Sequence, residues 1–256
     1  MIKLVATDMD GTFLGTEGKM PERAFEVIHK LHDNGITFVA ASGRPLVSLN
    51  KLFDPVKDKI CFVAGNGSMV YNSTEELLLK TLSNEFVDEI IRFSDNGITH
   101  PVICSKEAHY IFPRATRFFD TINFYVGDLK KITRIKEIVR PAISISVLVE
   151  DTSQTKNICQ EMATLFESQA TIVQTSKEWI DIIPKHCNKK DGLELLMEKF
   201  NVSKDEVMAF GDYYNDIDML LLASESYAMT HAVDEVKKVA KHQCKPSDIL
   251  HIMESI

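Results

Sequence analysis

The chain of 256 residues is 45% hydrophobic, enough to bury a sizeable core in one large or two modest domains, which argues against intrinsic disorder. Its formal net charge of -8 argues against a nucleic-acid partner, because affinity for a phosphate backbone comes from clustered Lys and Arg. The densest basic stretch, Lys130, Lys131, Arg134 and Lys136, reads as a solvated helix face.

Residues 2–6 are too uniformly apolar for a half-exposed strand and predict a central parallel one that runs into Asp8-Met9-Asp10-Gly11. In 21–34, Ala24, Val27, Ile28 and Leu31 recur at helical spacing, with Pro21 suited to the first turn and Gly35 to the stop. A second buried strand is predicted at 36–41, a helix at 45–53, and a strand at 60–64. Gly65-Asn66-Gly67 then leads into hairpin-like segments at 69–71 and 77–80. Between 83 and 184 the texture becomes mixed. Helices are predicted at 85–96, 132–139 and 153–168, and strands at 98–104, 109–112, 143–149, 170–174 and 179–183. This suggests an antiparallel sheet with helices on one face. The strand-helix alternation returns afterwards, with helices at 191–200, 216–222 and 233–242 and strands at 206–210 and 227–229. The expected fold class is α/β, a doubly wound parallel sheet with an inserted α+β domain. The discontinuous core would comprise 1–82 and 185–256, and the insert 83–184.

Cys61, Cys104, Cys159, Cys187 and Cys244 are scattered and odd in number, without a Cys-x-x-Cys pair. Neither a disulfide framework nor a zinc site is implied, and a reducing compartment fits. No amino-terminal signal and no stretch of membrane-spanning length is found, so a cytoplasmic protein without a membrane partner is expected.

Chemistry concentrates where predicted strands end. Asp8 at a strand's carboxyl end can attack an electrophilic phosphorus, and Asp10 can shuttle the proton of the leaving group or the attacking water. Gly11 lets the chain turn sharply. A bare Asp-x-Asp is more often a plain acidic turn, and a calcium loop is excluded because Phe13 and Lys19 stand where it needs Gly and Glu. Ser42, in Ala40-Ala41-Ser42-Gly43-Arg44, offers a hydroxyl and main-chain N–H groups to a phosphoryl oxygen, although it would serve equally as a helix cap. The Lys189-Lys190 pair brings a cation to a helix start, and chemistry alone leaves the choice between the two open. Phe210-Gly211-Asp212-Tyr213-Tyr214-Asn215-Asp216 ends a second apolar strand in hard oxygen ligands, which suit Mg²⁺.

In their order, Asp8-Met-Asp10-Gly-Thr-Phe-Leu, Ser42-Gly43-Arg44, Lys189 and Gly211-Asp212-x-x-Asn215-Asp216 resemble the four motifs of the haloacid dehalogenase superfamily. The position of the insert resembles the Cof-type phosphatases, whose large α+β cap is of the C2B type. The resemblance implies Asp8 as the nucleophile forming an aspartyl-phosphate, and Asp10 as general acid and then base, oriented by Thr12. Ser42 and Lys189 would hold the phosphoryl group. Lys189 is preferred because Asn188-Lys189 matches the family's usual lysine. Mg²⁺ would bind Asp8, the Asp10 carbonyl and Asp212, with Asp216 and Asn215 completing or supporting the shell. Gly43 adjoins the phosphate station, and Asn66 and Arg44 would face the substrate or the cap. One departure is Ala228-Met229-Thr230-His231-Ala232, where the family typically carries Ala-Met-Gly-Asn-Ala. His231 would be a surface residue or a replacement donor. The expected function is a Mg²⁺-dependent phosphatase acting on a small phosphorylated metabolite, such as a sugar phosphate, pyridoxal phosphate or flavin mononucleotide. Its alternatives are a phosphosugar mutase with the same intermediate and a non-catalytic ligand-binding relative. In the cap, Arg114, Arg117, Lys177 and Trp179 are candidates for substrate contact, although each type is more often surface or packing.

Overall fold

The computed structural model describes every residue except Glu107 and divides the chain into two compact units. The first comprises Met1–Ser42, Leu49–Leu78 and Asn188–Ile256, and the second Gly43–Ser48 and Leu79–Cys187. In chain order, the first stretch holds β1 (Leu4–Thr7), α1 (Ala24–Asp33), β2 (Thr37–Ala41), α2 (Leu46–Leu52), β3 (Cys61–Ala64), β4 (Met69–Asn72) and β5 (Glu75–Leu79). Next come α3 (Asn84–Ser94), β6 (Thr99–Ser105), β7 (His109–Ile111), α4 (Phe119–Val126), β8 (Leu129–Lys131), β9 (Ala142–Val149), α5 (Thr155–Phe166), β10 (Ala170–Gln174) and β11 (Trp179–Pro184). The chain closes with α6 (Lys189–Phe200), β12 (Val207–Gly211), α7 (Ile217–Leu222), β13 (Glu225–Met229), α8 (Asp234–Val239), β14 (His242–Cys244) and α9 (Ile249–Glu254).

The first unit is built on an eight-stranded sheet in the order β14-β13-β12-β1-β2-β3-β4-β5. Strands β14 through β3 run parallel, and β4 pairs antiparallel with β3. Every residue of β1, β3 and β12 is buried, which is why these strands read as continuous apolar runs. Beneath β2, Phe13, Phe38, Phe53 and Phe62 form a chain of ring contacts with centroids 5.3 to 6.2 Å apart. Helix α1 covers the sheet through Ala24, Val27, Ile28 and Leu31, as the spacing predicts. It starts three residues after Pro21, whose carbonyl accepts the Ala24 N–H at 3.1 Å.

The second unit carries a six-stranded sheet, β10-β11-β9-β6-β7-β8, antiparallel except for β7 beside β8. Here the structure corrects two sequence expectations and adds a helix that the sequence did not show. Helices do not lie on one face alone: Phe86, Ile90, Met162 and Phe166 of α3 and α5 pack with Ile103, Ile145 and Ile182, while Ile122 and Val126 of α4 pack with Val102, Leu148 and Trp179. The helix expected at 132–139 shrinks to one 3₁₀ turn, Ile135–Glu137, where Glu137 accepts from both the main chain and the guanidinium of Arg134. Helix α4 itself, rich in aromatic and β-branched residues, defies its local propensity because its apolar face has a partner.

None of the five cysteines is in a disulfide, and four are buried. Burial pushes the Cys61 and Cys244 thiols up to about 11 and Cys104 to about 12, so these behave as small apolar core residues. Among the described residues, no helix is long and apolar enough to cross a membrane.

Candidate active site

The strand order reverses at β1: β2 and β3 follow on one side, β12 and β13 on the other. Open α/β sheets bind their ligands outside the carboxyl ends at such a reversal. The register Thr7↔Phe210 brings the ends of β1 and β12 level, and the Asp8 N–H donates to the Phe210 carbonyl at 2.9 Å. Asp8 and Asp212, 204 positions apart in sequence, therefore emerge side by side.

Immediately after Asp8 the chain turns. Asp10 is half-buried with φ -80° and ψ 120°, and Gly11 has φ +84°. A Cβ on Gly11 would lie 2.5 Å from Asp212 Oδ2, so both backbone conformation and space demand glycine. The Thr12 hydroxyl donates to Asp212 Oδ1 at 3.0 Å. Thr12 thus holds the neighbouring loop's carboxylate.

Lys189 comes from the first turn of α6. Asn188 caps this helix, its Oδ1 accepting the Asp191 N–H at 2.6 Å, so α6 begins two residues earlier than its apolar periodicity suggests. The cap itself is held by Gly67, at φ +95°, whose Cβ would fall 2.1 Å from the Asn188 carbonyl oxygen. Lys189 Nζ reaches Asp8 Oδ1 and Asp216 Oδ1, each at 2.6 Å, with no exposed side-chain surface. This choice between the paired lysines is made by geometry, since Lys190 turns to Glu194 in the partly exposed i,i+4 position. The other oxygen of Asp216, Oδ2, accepts the N–H groups of Asp212 at 2.9 Å and Tyr213 at 3.0 Å. Asp216 is thereby consumed in supporting Lys189 and the Asp212 loop.

A second chain of contacts runs beside the first. The Asn66 N–H donates to the Ser42 carbonyl at 3.0 Å, and Asn215 Nδ2 donates to Asn66 Oδ1 at 2.9 Å. Asn66 is buried in the left-handed region, φ 53°, and Ser42 is buried too. Gly43 and Arg44 belong to the second unit. There Arg44 lies over the rings of Phe124 and Tyr125, 5.4 and 5.3 Å from their centroids, and donates to Ser48 Oγ and the Phe124 carbonyl. The other candidates in that unit are also engaged or exposed: Arg114 donates to the Asp95 carbonyl, Arg117 pairs with Glu150, Trp179 packs on Tyr125, and Lys177 is exposed.

The charge balance of the cluster suits a cation. One oxygen from each of Asp8, Asp212 and Asp216 lies within 4.8 Å of the others. Burial pushes the Asp8 carboxyl well above the ordinary range, against the pull of Lys189 and with the help of Asp216 and Asp212. Burial, then Asp216, raises Asp212 to about 7. For Lys189, burial disfavours the charge, but Asp216 and Asp8 outweigh it and hold the amine above its usual value. With all four groups ionised, three carboxylates and one ammonium leave two uncompensated negative charges, which a divalent cation cancels. The donors are all carboxylate oxygens, and Asp8 and Asp212 press against each other, so the residues fit Mg²⁺.

One further side chain reaches this cluster. His231 Nε2 stands 3.7 Å from Asp212 Oδ2. A turn residue after a strand carries no local pattern that reveals this contact, which only the neighbouring strand end creates.

Comparison with known proteins follows the same line. A sequence model of the haloacid dehalogenase-like hydrolases matches residues 5–251. The 5-amino-6-(5-phospho-D-ribitylamino)uracil phosphatase YbjI of Escherichia coli is 29% identical, over 94% of this chain and 90% of its own. An HMP-PP phosphatase of Cronobacter sakazakii is 23% identical over 94% of this chain and 89% of its own. Among solved structures, a Streptococcus mutans protein superposes with a TM-score of 0.92 at 27% identity, covering 100% of this chain and 98% of that one. The chain belongs to the haloacid dehalogenase-like hydrolase family.

Proposed function

We propose that the chain is a phosphatase that hydrolyses small phosphomonoesters through an aspartyl-phosphate on Asp8. The observation that carries this reading is the buried Lys189 amine, shared at 2.6 Å between Asp8 and Asp216. It holds one Asp8 oxygen in place while adding positive charge where a phosphoryl group would arrive. Asp8, Asp212 and the main-chain carbonyl of Asp10 would hold Mg²⁺, with Asp216 supporting the set. When bound, the cation supplies charge neutralisation at the phosphoryl oxygens.

In the first step an Asp8 oxygen forms a bond to phosphorus, the ester P–O bond breaks, and Asp10 hands its proton to the departing oxygen. In the second, water attacks that phosphorus and Asp10 takes up its proton. The bond between Asp8 and phosphorus then breaks, restoring the carboxylate and releasing phosphate. Ser42, Asn66 and Asn215 are assigned to phosphoryl and substrate contact, since their mutual hydrogen bonds order that side of the cluster. Arg44 and Gly43 receive no step. The relatives' names point to heterocyclic and sugar-derived phosphates as the substrate class.

The test is phosphate release from sugar, ribitylamino-pyrimidine, pyridoxal and flavin monophosphates with Mg²⁺, beside Asp8→Asn. Hydrolysis that disappears in the variant supports the reading. Equal release by both proteins, or none from the folded protein across the panel, refutes it.

A further inference from the structure

We propose that His231 is a further ligand of the cation site, a nitrogen donor beside Asp212 that lets the site take borderline divalent cations such as Co²⁺ and Zn²⁺ as well as Mg²⁺. The inference rests on the reading of Asp8 and Asp212 as cation ligands.

Three observations place the imidazole there. First, Nε2 faces Asp212 Oδ2 at 3.7 Å, longer than a hydrogen bond and within the spacing of about 3 to 4 Å that separates two ligands of one ion. Second, Oδ1 of the same carboxylate already accepts from Thr12, so Oδ2, the atom His231 faces, is the oxygen left for a cation. It is also the Asp212 atom nearest to where a Cβ on Gly11 would stand. Third, the main chain pins the turn that carries His231. Thr230 N–H donates to the Cys244 carbonyl at 2.9 Å, Ala232 N–H to Met229 at 2.9 Å, and Val233 N–H to the carbonyl of Asp212 itself at 3.3 Å. The last of these ties the His231 turn directly to the ligand's own backbone.

The side chain is 37% exposed and does not belong to the buried core. A neutral imidazole raises affinity for later divalent metals, whereas an all-oxygen set suits Mg²⁺, so the replaceable contribution of His231 lies in selectivity.

The experiment is calorimetric titration of the full chain with Mg²⁺ and with Co²⁺, for the unmodified protein, His231→Asn and Asp212→Asn. Pulsed EPR of the Mn²⁺-loaded proteins reads nitrogen coupling in parallel. The expected result is Co²⁺ binding weakened about tenfold or more by His231→Asn, with Mg²⁺ binding changed less than about twofold. A nitrogen coupling in the unmodified protein should be lost in the variant. Equal weakening for both ions would overturn the proposal, leaving His231 as a residue that only orients Asp212. Unchanged Co²⁺ affinity without nitrogen coupling would overturn it as well. Failure of the underlying reading looks different: neither ion binds the unmodified protein, or Asp212→Asn leaves both affinities intact.

Discussion

Replacing Lys189 by Met removes one charge while keeping the length of the side chain, and the structure sets the size of the effect. The amine makes two charge-assisted hydrogen bonds, both at 2.6 Å and both sealed from solvent. At about 1.5 to 3 kcal/mol each, these are worth about 3 to 6 kcal/mol. That agrees with about 3 to 5 kcal/mol for removing one partner of a buried ion pair, which leaves the other charge uncompensated. At about 2 to 4 °C per kcal/mol, the melting temperature should fall by roughly 6 to 20 °C. The loss must also depend on pH. Lys189 is held above its usual value, so its contribution is complete near neutrality and fades only as pH rises past the ordinary lysine range. Asp8, already raised by burial, rises further once the amine no longer lowers it. Protonation then relieves the buried charge, so the deficit is largest near about pH 8 and shrinks toward about pH 5. The assay is thermal and urea unfolding of Lys189→Met without divalent cations at both pH values. Adding Asp216→Asn should recover part of the loss, because it removes one orphaned carboxylate. A deficit below about 1 kcal/mol, or one equal at both pH values, would refute the account of a compensated buried cluster.

Other consequences can be read from the same geometry. Gly11→Ala must either abandon its φ of +84° or displace Asp212 Oδ2, which lies 2.5 Å from the new methyl. Stability should drop by about 1 to 3 kcal/mol, and Mg²⁺ affinity by about tenfold or more in calorimetry. An unchanged affinity would show that Asp212 does not share that space with the cation. Asp212 is raised to about 7, so between the ordinary aspartate range and that value the folded state holds a proton that the unfolded chain has lost. The cation-free protein should therefore lose stability as pH climbs toward 7. Mg²⁺, which needs the ionised carboxylate, should bind about tenfold more weakly per pH unit below that point. The Mg²⁺-induced rise in melting temperature should accordingly be larger near about pH 8 than near about pH 5.5, and a rise independent of pH would count against it.

Much of this architecture was legible in the chain because burial on both faces leaves an unmistakable record. Strands β1, β2, β3 and β12 are short apolar runs that stop at Asp, Ser, Gly and Asp, and local composition suffices to see them. The amphipathic helices α1, α3 and α5 are likewise written in their spacing. Helix α4 was not legible, since its aromatic and β-branched residues become helical only through contact with the second face of the inserted sheet. The expected helix at 132–139 failed for the opposite reason: its charges and periodicity were local, and no partner surface extended it beyond one turn. The edge strand β14 has a single buried residue in three, and α9 spans only six residues, too short for a helical period to stand out.

The site shows the same division. Residue types and order along the chain were enough to point to Asp8, Asp10, Ser42, the Lys189-Lys190 pair, Asp212 and Asp216, because chemistry that needs charged groups at strand ends leaves those letters at those junctions. Which lysine is buried, that Thr12 holds Asp212, that both oxygens of Asp216 are consumed, and that His231 faces the cluster are different matters. Each depends on atoms from separate loops meeting within 4 Å, on angles set by strand register and by the positive φ of Gly11 and Gly67. By itself the sequence determined which groups are present and which strands are buried, since those follow from side-chain chemistry and periodicity alone. Only the tertiary structure decided which of them touch, because contacts between segments hundreds of residues apart arise from packing the sheet and carry no local signature.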